Sequence, residues 1–463
     1  MSVSRRTFIK NTALVSLGFI GLNRFVANAG FLGTDGNFED GFGPLFHQPG
    51  DILSLPKGFS ARVISRRGDK MDDGFIVPGM YDGMGAFSTH DNKILLVRNH
   101  EIAHLQKNVS PFDEHNLFLS GTKPEQFYDF ANGQPCMGGT STLLYNEFTG
   151  NVELQYLSLC GTIRNCAGGI TPWNSWITCE ETSLTKGESN GLLEQSHGYN
   201  FEVPATTKIG LTKPIPLKAM GRFVHEAVAV HPTKGIVYQT EDLSDSVFYR
   251  FIPNQPGKLH EGGKLQCLVI SDWKAADTRN WDENKGLFPQ KKVFKAHWID
   301  LDDVEAPDND LRLRGHQNGA ALFARQEGIW FGNNELFFAA TSGGRKGLGQ
   351  IFRYVPSKYE GTPQEKDAPA TLELFLEPNN TEIFQSCDNL SISPWGDIII
   401  CEDKRNARII GITPQGKTYT IAKNMGYSNS EFAGPVFSPS GRTLFVNIQS
   451  PGLTLAITGP WKR

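Results

Sequence analysis

One pattern of residue spacings, called the frame below, recurs along the chain and limits the folds that the chain can adopt. In three stretches two strand-like runs flank a turn with proline; a Cys, Glu or Asp stands six residues before the proline, and an acid nine after it. The copies are Cys166, Pro172 and Glu181; Glu226, Pro232 and Glu241; and Asp388, Pro394 and Asp403. Because an antiparallel hairpin returns to its starting end, each opening residue is predicted to lie beside its closing residue.

Three weaker copies keep the order of strand, turn and strand but not the residue types. They are Ala86, Asn92 and Glu101; Glu327, Asn333 and Ser342; and Ala433, Pro439 and Ile448. Hairpin units that recur at irregular intervals are typical of blades set around a central axis. Long helical periodicity is absent. The sequence therefore predicts an all-β fold, a six-bladed β-propeller with long insertions between the blades.

Two segments are predicted to be insertions in this repeat. Residues 102–135 form a polar segment, which we expect to lie over one mouth of the ring. Residues 272–318 form the longest insertion, which we expect to hold short helices and to build the rim. Residues 30–80 contain one clear strand, from Phe59 to Ser65, and are predicted to wrap onto the ring.

The first residues carry the pattern of an export signal. The string SRRTFIK is followed by the apolar run ALVSLGFIGL and by the small-residue site Ala27-Asn28-Ala29. An arginine pair before a short apolar run is typical of a twin-arginine signal. We expect residues 1–29 to be a signal peptide read by the twin-arginine export machinery. Residues 30–463 would then form a single propeller domain in the periplasm or outside the cell.

The charge balance and the cysteines exclude several classes of protein. The chain has 45 basic and 49 acidic residues, a net charge of -4, and no stripe of lysine and arginine, so no nucleic-acid partner is expected. Beyond the signal we expect no stable membrane association, and we expect a monomer. Seven cysteines without a close CxxC pair do not indicate a disulfide framework or a zinc ribbon.

The frame gathers metal-binding residue types at one end of the predicted axis. Carboxylates there would raise one another's pKa unless cations compensated them. Oxygen ligands suit Ca²⁺, whereas a thiolate among them indicates a transition metal, although Cys166 could instead be a small residue lining the axis. Eight of the twelve frame positions are candidate ligands: Glu101, Cys166, Glu181, Glu226, Glu241, Glu327, Asp388 and Asp403.

Arg325 is the candidate catalytic residue. It stands two residues before Glu327 and would share the strand face of that glutamate. A guanidinium beside metal ions can bind a phosphate oxygen and stabilise the charge of a transition state. A salt bridge within the ring of acids is the alternative role, and the spacing alone does not distinguish the two.

Several strings of the sequence resemble the PhoX-type alkaline phosphatases and their shorter relatives, from about residue 80 to the C-terminus. They are MGRFVHEA, RNCAGGITPWNSWITCEE, VYQTED, ARQEGIWF, GQIFRY, CDNLSISPWGDIIICED and FAGPVFSPSGRTLFVNIQSPG. The resemblance implies a propeller that cleaves phosphomonoesters at a mouth holding Fe³⁺ and Ca²⁺ around a bridging oxo group. It implies that Cys166 is the thiolate ligand of iron and that Arg325 binds phosphate. The other ligands it implies are Asn99, Glu101, Glu181, Glu226, Glu327 and Asp388.

Two other functions are compatible with the same ring of acids. Calcium-dependent lactonases and related hydrolases also use six-bladed propellers with axial acids, although Cys166 and Arg325 argue against such a site. A propeller stabilised by metals could also bind a ligand at its rim without catalysis. The leading hypothesis is an exported, metal-dependent phosphatase that acts on small phosphate esters.

Overall fold

The computed structural model describes residues 38–89, 91–282 and 287–462, so the predicted signal peptide lies outside the described residues. These parts of the chain are built mostly from antiparallel strands, which confirms the all-β prediction. Helix α1 (Leu311–Gln317) lies in the insertion predicted to hold helices. Among the described residues no helix is long and apolar enough to cross a membrane. Short 3₁₀ turns occur at Lys107–Val109, Leu117–Leu119, Pro124–Gln126, Gly187–Ser189, Lys218–Met220, Leu259–Glu261 and Pro363–Asp367.

The strands, numbered in chain order, begin with an N-terminal group and two sheets. The N-terminal group is β1 (Leu45–Phe46), β2 (Leu53–Pro56) and β3 (Ser60–Arg66). The first sheet consists of β4 (Tyr81–Ser88), β5 (Ile94–His100), β8 (Gly138–Asn146) and β9 (Asn151–Thr162), with the small hairpin β6 (Phe130–Ala131) and β7 (Gln134–Pro135) between them in sequence. The second consists of β10 (Asn165–Ile170), β11 (Ser175–Glu180) and β12 (Asn200–Pro204).

A nine-stranded sheet forms the middle of the chain. Its first half is β13 (His225–Val230), β14 (Val237–Glu241), β16 (Tyr249–Pro253), β17 (Gly263–Ile270) and β18 (Val293–Asp300). Its second half is β20 (Gln326–Gly332), β21 (Glu335–Ala340), β22 (Gln350–Val355) and β23 (Ala370–Leu376). The halves join where β18 pairs with β23. A short pair, β15 (Ser246–Val247) and β19 (Leu322–Phe323), lies beside them.

The last two sheets are completed by the N-terminal strands. One consists of β24 (Cys387–Ile392), β25 (Ile398–Glu402), β26 (Arg408–Ile412) and β27 (Thr418–Asn424), extended by β2 and β1. The other consists of β28 (Phe432–Phe437), β29 (Thr443–Ile448) and β30 (Leu453–Thr458), with β3 paired to β30. From residue 38 onward the N-terminal segment wraps onto the ring as predicted, since β3 pairs with β30 and β2 pairs with β27.

The first strands of the hairpins form a closed ring, so the architecture is propeller-like. Strands β4, β10, β13, β20, β24 and β28 contact one another in this order, and β28 returns to contact β4. Glycines permit neighbouring inner strands to approach one another closely. A Cβ atom on Gly83 would lie 2.6 Å from the Cα atom of Ala167, and one on Gly328 would lie 2.5 Å from the backbone nitrogen of Leu390.

The hydrophobic core lies between neighbouring sheets. Between the first and second sheets, for example, Phe87, Val97, Trp176 and Phe201 are buried together. Burial of each such side chain stabilises the fold by roughly 1.5–3 kcal/mol. The inner strands are therefore held rigidly from behind, which fixes the positions of the side chains at their ends.

Candidate metal centre at the mouth of the ring

A repeated backbone hydrogen bond brings the side chains next to the strand ends to one end of the inner hairpins. In five hairpins the residue that follows the second strand donates its N–H to the carbonyl oxygen of the residue before the first strand, at 2.8–3.1 Å. The donor and acceptor pairs are Glu101 and Met80, Glu181 and Arg164, Asp242 and Val224, Thr341 and Arg325, and Asp403 and Ser386. Two residues after the acceptors stand Asp82, Cys166, Glu226, Glu327 and Asp388.

These positions form a mouth that is buried at its floor and open at its rim. Its members, called the mouth ring below, are Asp82, Glu101, Cys166, Glu181, Glu226, Asp242, Glu327, Asp388, Asp403 and Glu431. Glu226 is fully buried and Asp82, Cys166 and Glu327 nearly so. Glu181 and Asp242 are half-buried, and Asp403 is exposed. A small molecule can therefore reach the ring from solvent.

Two groups of three within the mouth ring have the proximity that a metal ion requires. One ligand atom each from Asp82, Glu101 and Cys166 lie within 4.8 Å of one another. The same holds for Glu226, Glu327 and Asp388. The first group mixes a thiol with two carboxylates, whereas the second offers oxygen only.

Several carboxyl groups of the mouth ring have raised pKa values when no cation is near. Burial, followed by repulsion from neighbouring acids, raises the pKa values of Asp82, Glu226 and Glu327 well above their usual range. Burial and the charge of Asp403 raise the pKa of Asp388 to about 7. Burial and the charge of Glu101 raise the pKa of Glu181 to about 9.

The side chains of the ring fit bound cations. Both carboxylate oxygens of Glu226 are buried and have no hydrogen-bond partner within the described ranges. A buried carboxylate without donors is costly unless a cation or a proton accompanies it. Burial, followed by the charges of neighbouring acids, raises the pKa of the Cys166 thiol well above its usual range. A bound metal ion would reverse this shift by favouring the thiolate.

Two arginines in equivalent positions flank the ring. The Nε and Nη2 atoms of Arg325 donate to the two carboxylate oxygens of Asp242 at 2.8 and 2.7 Å, and Nη2 also donates to Glu327 at 3.1 Å. Arg164 binds Glu101 at 3.0 Å and Glu181 at 2.5 Å. Each arginine precedes an inner strand, and their φ angles are similar, +53° for Arg325 and +50° for Arg164.

Comparison with known proteins places this arrangement in a family. The model of the family described as alkaline phosphatase PhoX matches residues 40–147 and 138–452, which is most of the chain. The chain belongs to the PhoX family of alkaline phosphatases. The predicted resemblance is thereby confirmed. A search of curated proteins finds no match.

One solved structure shares the fold of this chain. Pseudomonas fluorescens PhoX, solved in complex with vanadate, a transition-state analogue, superimposes with a TM-score of 0.64 at 17% identity, over 88% of this chain and 96% of that one. A gluconolactonase from Xanthomonas campestris matches with a TM-score of only 0.37 at 10% identity, over 89% of this chain and 99% of that one. The first likeness supports the fold, and the second is too weak to carry an argument.

The structure brings most of the predicted site residues of this PhoX member to the mouth. The residues found there are Glu101, Cys166, Glu181, Glu226, Arg325, Glu327, Asp388 and Asp403. Cys179 and Cys401 lie on the strands that lead to Glu181 and Asp403 but are fully buried among hydrophobic side chains.

Glu241 does not lie where its spacing predicted. It pairs with His225 in the strand ladder, and its carboxylate accepts a hydrogen bond from the hydroxyl of Tyr249 at 2.8 Å, behind the mouth. The neighbouring Asp242 takes the predicted place. The cause is the length of the turn between the two strands of the hairpin. Here the turn spans residues 231–236, one residue more than the turns at 171–175 and 393–397 in the other two strong copies. One additional turn residue moves the closing acid by one position.

Asn99 also differs from the ligand role that the resemblance implied. Its side-chain amide donates to the carbonyl oxygens of Cys166 at 2.9 Å and Ala167 at 2.7 Å. Its carbonyl oxygen accepts a hydrogen bond from the indole N–H of Trp176 at 2.9 Å. Asn99 thus holds the backbone that carries Cys166, and its geometry does not support a direct contact with a metal ion.

Four residues of the mouth were not identified from the sequence: Asp82, Arg164, Asp242 and Glu431. Asp82 was missed because strand β4 has eight residues and β10 has six, so that a fixed spacing selected Ala86 instead. A sequence signal does exist, since most acids or thiols that open a hairpin precede a small residue, as in Asp82-Gly83 and Glu327-Gly328. Arg164 could have been found because it precedes Cys166 by two residues, as Arg325 precedes Glu327.

Proposed function

We propose that the chain is an exported, metal-dependent phosphatase that hydrolyses phosphomonoesters in the mouth of a six-bladed propeller. The observation that carries the proposal is the mouth ring itself, where buried carboxylates and one thiol lie together at an opening flanked by arginines. Membership of an alkaline phosphatase family supports it. The closed ring of inner strands supports six blades, with two blades fused through β18 and β23.

The donor types suggest which ion each half of the mouth would hold. Asp82, Glu101 and Cys166 would hold Fe³⁺, because a thiolate favours a transition metal. Glu226, Glu327 and Asp388 would hold Ca²⁺, a hard ion that takes only oxygen ligands. When bound, such ions polarise phosphoryl oxygens and lower the pKa of an oxygen nucleophile.

Arg325 is suited to bind the phosphoryl group. Asp242 grips one edge of its guanidinium through two hydrogen bonds, which fixes the plane of the fork. Among the described residues the Nη1 atom has no hydrogen-bond partner, and the side chain is 43% exposed, so this edge can donate to a phosphate oxygen. The preorganised donor would stabilise the charge that develops on the phosphoryl group.

The vanadate complex of the Pseudomonas protein favours phosphoryl transfer over lactone hydrolysis. Vanadate is described there as a transition-state analogue. In the present chain, the salt bridge of Arg325 and its free edge offer what an oxyanion of this kind needs: a fixed, charged donor beside candidate metal ligands.

The decisive experiment measures hydrolysis of a simple phosphomonoester at alkaline pH by protein loaded with iron and calcium. We expect turnover that is lost on chelation of calcium and restored by its return. Gluconolactone opening measured on the same preparation is the control. Lactone opening without ester hydrolysis would overturn the proposal, and a protein that binds calcium but no iron would also contradict it.

Export is the second part of the proposal and is supported by the Arg5-Arg6 pair in SRRTFIK. Because twin-arginine recognition depends on that pair, Arg5→Lys with Arg6→Lys should retain the protein in the cytoplasm. Fractionation of cells that express each form tests this. Equal periplasmic amounts of both forms would contradict a twin-arginine route.

A further inference from the structure

A second cluster of metal-binding side chains lies outside the mouth ring. Asp129 precedes β6, Cys136 follows β7, and His197 precedes β12. Asp129 and His197 are fully buried and Cys136 is 5% exposed. One ligand atom from each lies within 4.8 Å of the others. The cluster combines nitrogen, sulfur and oxygen donors, a set that suits zinc.

The imidazole of His197 has the orientation of a metal ligand. Its Nδ1 lies 2.6 Å from Oε1 of Glu180, which also accepts the backbone N–H of Ile163 at 2.9 Å. A histidine that donates from one ring nitrogen to a carboxylate keeps its other nitrogen for the ion. Glu180 therefore acts behind His197, on the strand residue next to Glu181 and with its side chain turned away from the mouth.

The distance between His197 and Asp129 fits two ligands of one ion. Nε2 of His197 lies 3.3 Å from Oδ2 of Asp129, which is long for a hydrogen bond between charged groups, usually about 2.7–2.9 Å. Two ligands bound to tetrahedral zinc at about 2.0–2.1 Å lie about 3.3–3.4 Å apart. The separation in the protein matches the second case.

The backbone around the cluster fixes the other two ligands. The N–H groups of Glu194 and Gln195 donate to Asp129 at 3.0 and 2.8 Å and hold its carboxylate beside His197. The N–H of Cys136 donates to the carbonyl oxygen of Asp129 at 3.1 Å and joins the two ligand-bearing segments. The cluster is thus arranged before any ion arrives.

We infer that Asp129, Cys136 and His197 bind one Zn²⁺ ion. The ion would join the 102–135 insertion to the loop that precedes β12, and it would stabilise both segments. The fourth position of the tetrahedron would be open to water. This site is independent of the proposed phosphatase activity.

The first test compares the metal content of Cys136→Ser with that of Cys267→Ser. Cys267 is also a buried free cysteine, but it lies on β17, away from the cluster. After growth with zinc, we expect Cys136→Ser to contain about one zinc fewer per chain than the wild type, with iron and calcium unchanged. Cys267→Ser should keep the full amount. Equal zinc in the wild type and both variants would overturn the inference.

A second test does not depend on the folding of any variant. Crystals of the wild-type protein soaked in Zn²⁺ are measured on both sides of the zinc absorption edge. We expect an anomalous difference peak among Oδ2 of Asp129, Sγ of Cys136 and Nε2 of His197. A map with zinc at the mouth but none here would show that His197 instead bridges Asp129 and Glu180 as a proton-carrying cation, and would overturn the site.

Discussion

At the scale of single residues, the choice between adjacent acids decides what the mouth can do. Glu241 and Asp242 differ by one position, yet one binds Tyr249 behind the strand and the other grips Arg325. Successive side chains near a strand end point to opposite faces. The same alternation separates Glu180 from Glu181 and Glu402 from Asp403.

The first prediction compares Asp242→Asn with Glu241→Gln. The asparagine removes the charge that fixes the Arg325 fork, so phosphomonoester turnover should fall at least about tenfold, as expected for loss of a charge-assisted contact of about 1.5–3 kcal/mol. The glutamine can still accept the Tyr249 hydroxyl, so turnover and metal content should stay near the wild-type values. Steady-state kinetics and elemental analysis of both variants provide the measurement. A larger loss of turnover in Glu241→Gln than in Asp242→Asn would indicate that Glu241 faces the mouth, as its spacing in the sequence predicted.

The second prediction concerns the thiols. Cys166→Ser should lose iron and activity but keep its fold, because the ring sheets do not depend on that side chain for packing. Cys179→Ser should keep its iron, because Cys179 is fully buried among hydrophobic side chains. Iron content and circular dichroism are measured on both. Equal iron loss would show that Cys166 is not the ligand.

The third prediction concerns Arg325→Lys. A lysine keeps the positive charge but cannot reproduce the planar fork that binds Asp242 and phosphate together. Turnover should fall about a hundredfold to a thousandfold, equivalent to about 2.7–4 kcal/mol of transition-state stabilisation, and phosphate inhibition should weaken in parallel. Near-normal turnover in this variant, with metal loss confined to Arg325→Ala, would leave Arg325 only its salt bridges to Asp242 and Glu327.

At the scale of elements, closure of the ring depends on the N-terminal strands. Strand β3 covers the edge of β30, where Val63 pairs with Leu455, and β2 covers the edge of β27. An uncovered edge strand presents unpaired backbone groups and readily pairs with other chains. The N-terminal segment is therefore part of the propeller-like body.

The fourth prediction is that deletion of residues 30–66 from a chain that starts at residue 30 will lower its melting temperature and cause aggregation. The physical reason is the loss of two strand pairings together with the buried contacts of Leu53. Thermal unfolding and light scattering, compared with the chain of residues 30–463, test it. An unchanged melting temperature and a monodisperse sample would contradict a closing role for these strands.

At the scale of the whole molecule, the mouth ring couples stability to cations and to pH. The folded pKa values of Asp388, about 7, and Glu181, about 9, lie above those of the unfolded chain, about 4. Without cations the folded state therefore binds more protons than the unfolded state between these limits. The resulting stability is fully present below pH 4 and is lost as the pH rises through 7 and 9.

The fifth prediction follows from this sign. The free energy of unfolding of metal-depleted protein should decrease as the pH rises from 5 to 9, by up to about 1.4 kcal/mol per pH unit for each group that titrates. Added Ca²⁺ should raise stability most at the alkaline end, because it replaces the protons. Denaturant unfolding at several pH values, with and without Ca²⁺, measures both effects. Stability that rises with pH in chelated protein would contradict the raised pKa values.

Much of this architecture could be predicted from the sequence because it depends on short patterns of residues that recur in each hairpin. The turn prolines, the strand-like runs and the acids at hairpin ends predicted the all-β class and brought Glu101, Glu181, Glu226, Glu327 and Asp388 to one place. Hydrophobic strands and turn residues act over a few positions, so a sequence reveals them directly. The twin-arginine pattern is equally local, and it remains a prediction.

The sequence by itself determined the hairpin unit, the end of it that carries the acids, and the thiol among them. Only the tertiary structure decided which acid faces the mouth, because one extra turn residue at 231–236 exchanges Glu241 for Asp242. It also decided that Asn99 supports Cys166 from behind, and that Asp129, Cys136 and His197 meet. The contacts of Asn99 with Cys166 and of Asp129 with His197 join segments 67 and 68 residues apart in sequence, and their geometry exists only after the sheets have packed around the axis.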